Sequence, residues 1–364
     1  MRAALALALV ASFMASACGG GGSCLTAVSC AASYVPATPS PGPIVSAEPI
    51  SVPSFRPSPT PTAAPSPTPL GTAALIAQID MAKLNDHLVA LTSVVSRDVH
   101  HPGHAKALAY LKEQLGAMGV QIESYRNVYQ GIPLESLLVT IDPLNAPPPS
   151  SGGGWIMICA HYDSISNRSP GWNPAITAAP GADDNGTGTA ALLEYARILA
   201  ANRASLKHRV VLAFFDGEEL FFKGSGAYVA SLPKPYPYSA VINIDMVGFN
   251  PITDRLDLIW YTNASAGLRD KLAATNDRYG IGISPLNAQY AGDGNTILDA
   301  APFGLAGIPA VALVQRYGES DATFPGNYTF HTVNDTPANV SNRRLWLKAA
   351  KLTLAAALDL AAAN

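Results

Sequence analysis

Five largely apolar segments between residues 155 and 314 constrain the fold more than any other feature. They are WIMICA (155–160), RVVLAFF (209–215), AVINI (240–244), LDLIW (256–260) and PAVALV (309–314). Helical segments separate most of them, at about Thr187–Ala201, near Gly226–Ser231 and near Ala266–Tyr279, and Ser341–Ala363 closes the chain. A strand that is apolar on both faces must be covered on both faces. Such strands alternating with helices imply an α/β fold with a mostly parallel central sheet and helices on either side.

The N-terminal side of the domain reads differently. Ala74 to Val95 is expected to be one helix, and His104 to Met118 an amphipathic one stopped by Gly119. Strands are expected at about Gln121–Tyr129 and Glu135–Asp142, followed by the flexible loop PLNAPPPSSGGG. Ahead of all this, residues 18–72 are mostly Gly, Pro, Ser, Thr and Ala. They include PSFRPSPTPTAAPSPTPLG, which is semi-extended and cannot bury a core. This stretch reads as a tether, with the folded domain spanning 73–364.

Residues 1–17 have the form of a secretory signal peptide. Arg2 is the positive end, Ala3 to Met14 the apolar stretch and Ala15-Ser16-Ala17 the cleavage site. The apolar run falls short of the ~20 residues a membrane-spanning helix needs. Cys18 directly after these small residues resembles a bacterial lipobox, although Ala15 stands where Leu is usual. The chain is therefore expected to be exported, either secreted or held at a membrane surface by lipid on Cys18. Cys24 and Cys30 could then pair in the tail. Cys159, inside an apolar strand, reads as a small buried hydrophobe. A formal net charge of −3 and the lack of a long basic run give no reason to expect nucleic acid or an anionic membrane as partner.

In open α/β sheets ligands bind at the carboxyl ends of the strands, and that is where this chain gathers its polar residues. Strand 155–160 runs into His161-Tyr162-Asp163, strand 209–215 into Asp216-Gly217-Glu218-Glu219, and strand 240–244 into Asp245. The segment Gly181-Ala182-Asp183-Asp184-Asn185-Gly186 opens a helix, and Phe330-His331-Thr332 lies in a late loop near Asp335. Each piece alone has a plainer explanation. A histidine after a strand is usually a structural hydrogen-bonder, Asp-Asp before a helix a cap, and Glu-Glu a solvated face. Three separate apolar strands that each end on a metal-capable group argue instead for a shared site. Imidazole and carboxylate suit zinc, and Asp163 is placed to orient the His161 ring. No HExxH helix is present.

The segments AHYDS, PGADDNGTG, FFDGEE, INIDMVG and FHTVNDT occur in this order. They closely resemble the two-zinc exopeptidases of the bacterial leucyl aminopeptidase, aminopeptidase Y and glutamate carboxypeptidase II family, over about Ala73 to the C-terminus. The resemblance implies a zinc-exopeptidase (phosphorylase/hydrolase-like) fold acting on a peptide substrate. It also implies His161 and Asp245 on one zinc, Glu219 and His331 on the other, Asp184 bridging, Glu218 as general base and Asp163 as the partner of His161. Relatives of this kind commonly have a cis peptide after the bridging Asp, here Asp184–Asn185. The chain departs from the pattern twice. Phe330 replaces a Tyr that often precedes the last histidine. Leu298-Asp299-Ala300 replaces a Ser-Asp-His before Pro302-Phe303. Both departures bear on substrate preference. Two other readings share the fold. Glutaminyl cyclases resemble single-zinc enzymes and usually lose the Asn-Gly after the bridging Asp, which this chain keeps as Asn185-Gly186. A non-catalytic binding module would be expected to have lost a ligand or the base.

Overall fold

In this computed structural model residues 68–144, 154–284, 286–290, 297–315 and 326–362 are described. The expected signal peptide, Cys18, Cys24, Cys30, nearly all of the tether and most of the PLNAPPPSSGGG loop lie outside these residues. Among the described residues, no helix is long and apolar enough to cross a membrane.

The described residues open with helices α1 (Thr72–Ile76), α2 (Met81–Ser93) and α3 (Pro102–Ala117). The single helix expected over Ala74–Val95 is thus two. Asp80 breaks it: its side chain accepts from the Ala82 N–H at 2.8 Å, capping α2, while its own N–H donates to Glu194 at 2.9 Å. An Asp that can bond its local backbone competes with helix continuation. Helix α3 begins two residues earlier than its apolar stripe suggests, because Pro102 is tolerated in a first turn and His101 caps it. Strands β1 (Gln121–Tyr129) and β2 (Ile132–Ile141) form a hairpin. Its two turn residues, Gln130 and Gly131, both have positive φ (50° and 84°), the geometry a tight right-twisting hairpin needs.

The remainder alternates as expected: β3 (Trp155–His161), α4 (Thr187–Ala201), β4 (Val210–Phe215), α5 (Lys223–Ser231), β5 (Tyr238–Asp245), β6 (Leu256–Trp260), α6 (Ala266–Arg278), β7 (Leu286–Tyr290), α7 (Ala300–Leu305), β8 (Ala310–Val314) and α8 (Arg343–Ala362). All eight strands make one mixed sheet, ordered β1-β2-β4-β3-β5-β8-β6-β7. The centre, β4-β3-β5-β8, is parallel, and the antiparallel pairs are β1–β2, β2–β4 and β6–β8. Along β3, Ile156, Ile158 and Ala160 face one core, shared with α2, α3, α4 and α8, while Met157 and Cys159 face a second, shared with α5 and α7. Cys159 is fully buried, as its apolar surroundings imply.

Two elements, β7 and α7, are absent from the sequence reading. Strand β7 is short, and its LNAQY sequence is too polar to register as a buried strand. Helix α7 carries Pro302 and Gly304, which look like breakers. Pro302 sits in the first turn, where its missing N–H costs nothing. A Cβ on Gly304 would come within 2.7 Å of Tyr261, so glycine lets α7 pack against that ring.

Candidate active site

The sheet order places the functional residues together. Strands β4, β3 and β5 are neighbours, so their carboxyl ends deliver Glu218-Glu219, His161-Tyr162-Asp163 and Asp245 to one place. The Gly181–Gly186 turn ahead of α4 brings Asp184, and the loop at Phe330 brings His331 over the top. His161 Nε2 lies 3.3 Å from Asp184 Oδ1 and 3.4 Å from Asp245 Oδ2. His331 Nε2 lies 3.0 Å from the other oxygen of Asp184 and 2.9 Å from Glu219 Oε2. Three ligand-type groups result: His161–Asp184–Asp245 and Asp184–Glu219–His331, which share Asp184, and His161–Glu218–Glu219.

Charge and burial distinguish this cluster from a chance gathering. Asp184 is only 5% exposed, and His161 and Asp245 are buried. Burial opposes charge on Glu219 and lifts its carboxyl to about 7. For His331, burial works against protonation, but Glu219 and Asp184 outweigh it and carry the imidazole up to about 11. Glu219 Oε1 and Asp245 Oδ1 are buried without a hydrogen-bond partner among the described residues. Buried carboxylate oxygens without partners are costly, and a cation seated between the two groups removes that cost. Two imidazoles and three carboxylates are a donor set that zinc accepts. Three protein ligands per metal is the count of an open, catalytic zinc site rather than a closed structural one. The residues present therefore fit two zinc ions.

Glu218 differs from Glu219 although adjacent. Its carboxylate lines the cavity at the cluster, together with His161, Asp184, Asp245 and His331, whereas Glu219 does not. Glu218 Oε2 stands 4.0 Å from His161 Nε2. Burial drives its pKa well above the ordinary carboxylate range, with His161 opposing. Asp163 sits behind both. Its carboxylate is 3.4 Å from His161 Nδ1, and its two oxygens accept the N–H groups of Glu218 and Glu219, each at 3.2 Å. One buried carboxylate thus orients the ring and pins the Glu-Glu backbone.

A supporting layer lies beyond the residues singled out from sequence. Asp335 accepts the N–H of Asp183 and of Asp184, one on each oxygen, both at 3.0 Å. Asp183 is turned away from the cluster and accepts from Gly248 N, Asn327 and Gln315. Asn185 spans from Ile244 O to Gly188 N, and the Asp184–Asn185 peptide is cis, as the resemblance implies. Arg97, fully buried, donates to the carbonyls of Tyr162, Pro180 and Gly181, tying the β3 exit to the Asp184 turn. Gly181 has φ 51°, and a Cβ there would fall 2.3 Å from Asp184 O, so the turn requires glycine. Of the ten cavity-lining residues, Phe222, Met246, Leu298 and His331 all have φ between 45° and 65°. Left-handed backbone at non-glycine residues is strained, and strain of this kind collects at functional sites.

The profile of Peptidase family M28 matches residues 144–356, more than half of the chain. Leucine aminopeptidase 1 of Chaetomium globosum is 29% identical over 195 residues, covering 50% of this chain and 44% of that protein. The chain spans less than half the length of the first curated relatives it matches. Among solved structures, the LapA aminopeptidase of Legionella pneumophila superposes with a TM-score of 0.63 at 20% identity, over 80% of this chain and 75% of that one. Porphyromonas gingivalis glutaminyl cyclase superposes at 0.59, also at 20% identity, over 78% and 98%. At these identities both structures speak for a common fold and no more. The five site segments named from sequence all fall within the matched span, and the chain belongs to Peptidase family M28.

Proposed function

We propose that this chain is an exported two-zinc aminopeptidase that removes N-terminal residues from peptides. The observation that carries this reading is Asp184, whose two oxygens face different histidines, each within a complete three-residue ligand group. His161 and Asp245 would hold one zinc, Glu219 and His331 the other, and Asp184 both. Such a pair, when bound, would polarise a carbonyl and lower the pKa of a bound water. Glu218, open to the cavity, takes the proton from the attacking water and passes it to the leaving amine. Asp163 positions Glu218 through its backbone and His161 through its ring.

The cavity, ≈ 150 Å³ in all, is otherwise walled by apolar side chains, Phe222, Met246, Ile297, Leu298 and Phe330. An apolar wall beside the cluster suits an apolar side chain at the substrate N-terminus. Phe330 brings no hydroxyl to this wall, and the task of stabilising the developing oxyanion falls to other groups. Keeping both ligand groups favours hydrolysis over the single-zinc cyclase reading.

Aminoacyl amides and an N-terminal glutaminyl peptide distinguish the two activities. Leucine and phenylalanine amides are expected to be hydrolysed, with activity lost to a chelator and restored by zinc. Cyclisation of the glutaminyl peptide without release of any amino acid from the amides would contradict the proposal. The lipid anchor has its own test: Cys18→Ala is expected to move the native protein from membrane to soluble fraction. A mature protein found to begin before Cys18 rules the anchor out.

A further inference from the structure

We propose that the groove on the far side of Phe222 binds the downstream part of the peptide substrate and selects apolar residues there. The assignment rests on the peptidase reading above and deepens it.

The groove, ≈ 530 Å³, is lined by Val128 and Tyr129 from β1, Phe221 and Phe222 ahead of α5, Lys223 at its start, and Pro302 of α7 among others. Phe222 is common to it and to the cavity at the metal cluster. An exopeptidase substrate seats its first residue at the metals. Everything after the scissile bond must then leave that cavity, and the groove, which shares Phe222 with it, adjoins it.

Phe221 is the decisive residue. It is 79% exposed, with φ 65°, and is followed by Phe222 at φ 59°. A bulky side chain in the left-handed region is strained, and an aromatic ring held in solvent gains nothing from the fold. Neither feature helps the free protein, and both make sense if the ring meets a ligand. The backbone enforces the placement. Phe222 N–H donates to Glu218 O at 2.8 Å and Lys223 N–H to Gly217 O at 2.9 Å. Asn127 bonds Lys223 O at 3.3 Å and Tyr125 bonds Ala227 O at 2.8 Å, fastening β1 to α5 beneath the groove.

Val128 is 70% exposed beside the ring, and Lys223 Nζ sits 4.8 Å above the Tyr129 ring centre. The surface is thus aromatic and aliphatic with one cation, built on the same short turn that carries Glu218. Rigid aromatic surface of this type dominates recognition energies where a partner covers it.

The test compares Leu-amide, Leu-Gly-Gly and Leu-Phe-Phe on wild type, Phe221→Gly and Val128→Ser. Glycine accepts the φ of 65° without strain, so Phe221→Gly keeps the fold. Wild type is expected to show KM for Leu-Phe-Phe about tenfold below that for Leu-Gly-Gly. Phe221→Gly shrinks the difference to within about twofold by raising KM rather than lowering kcat, and Val128→Ser shifts it the same way. A wild type that cleaves Leu-amide but shows no such preference, or a Phe221→Gly that keeps it, overturns the groove assignment alone. A wild type inactive on all three overturns the peptidase reading and this one with it.

Discussion

Glu218→Gln lowers kcat by ~10²–10⁴-fold and leaves the metal content unchanged. The amide is nearly isosteric with the carboxylate and removes only the capacity to carry a proton. Glu218 is outside both ligand groups that share Asp184, and its N–H stays bonded to Asp163 whatever its side chain. KM should move little, because binding and proton transfer are separate duties here. The check is steady-state kinetics alongside metal analysis on one preparation. His161, Glu218 and Glu219 also lie close enough to hold an ion. Loss of metal together with activity would therefore show that Glu218 is a ligand rather than the base.

Asp184→Ala is the more damaging change. It removes one ligand from each metal at once and leaves His161 and His331 without the carboxylate between them. Activity should fall beyond the loss seen for Glu218→Gln, that is past ~10⁴-fold. Stability supplies a second readout. A ligand that binds only the folded state at about 1,000 times its Kd stabilises it by about 4 kcal/mol. Adding zinc to metal-free wild type should therefore raise its melting temperature by several degrees, and should do little for Asp184→Ala. An equal zinc response in the two proteins, by thermal unfolding, would contradict the bridging role of Asp184.

The sheet and the ligand-type residues were legible because their signals are local. A strand such as WIMICA states its own burial, and the residue that follows it, His161, is at a strand end wherever the strand lies. Helix α4 was bounded correctly, since its start follows directly from the Gly-rich turn. What escaped was non-local. Arg97 serves carbonyls 65 to 84 residues further on, and nothing around Ser96-Arg97-Asp98 announces them. Asp335 could be seen near His331, but its bidentate hold on the Asp183-Asp184 backbone spans more than 150 residues. Residue type alone does not separate Asp183 from Asp184; the resemblance picks Asp184, and the fold turns Asp183 toward Gly248 and Asp184 toward the histidines. The second task of Asp163, pinning Glu218 and Glu219, also depends on β3 and β4 being neighbours. Nothing local to Phe221 in the sequence marks it, because its exposure and left-handed backbone are properties of the fold.

Metal analysis of the purified protein, by mass spectrometry of zinc per polypeptide before and after dialysis against a chelator, tests the central claim most directly. Two groups of three ligands sharing Asp184 predict close to two zinc ions per chain. They also predict loss of aminopeptidase activity as the metal leaves and its recovery as zinc returns. A fully active protein holding no metal, or one whose activity is complete with a single ion per chain, would contradict the account.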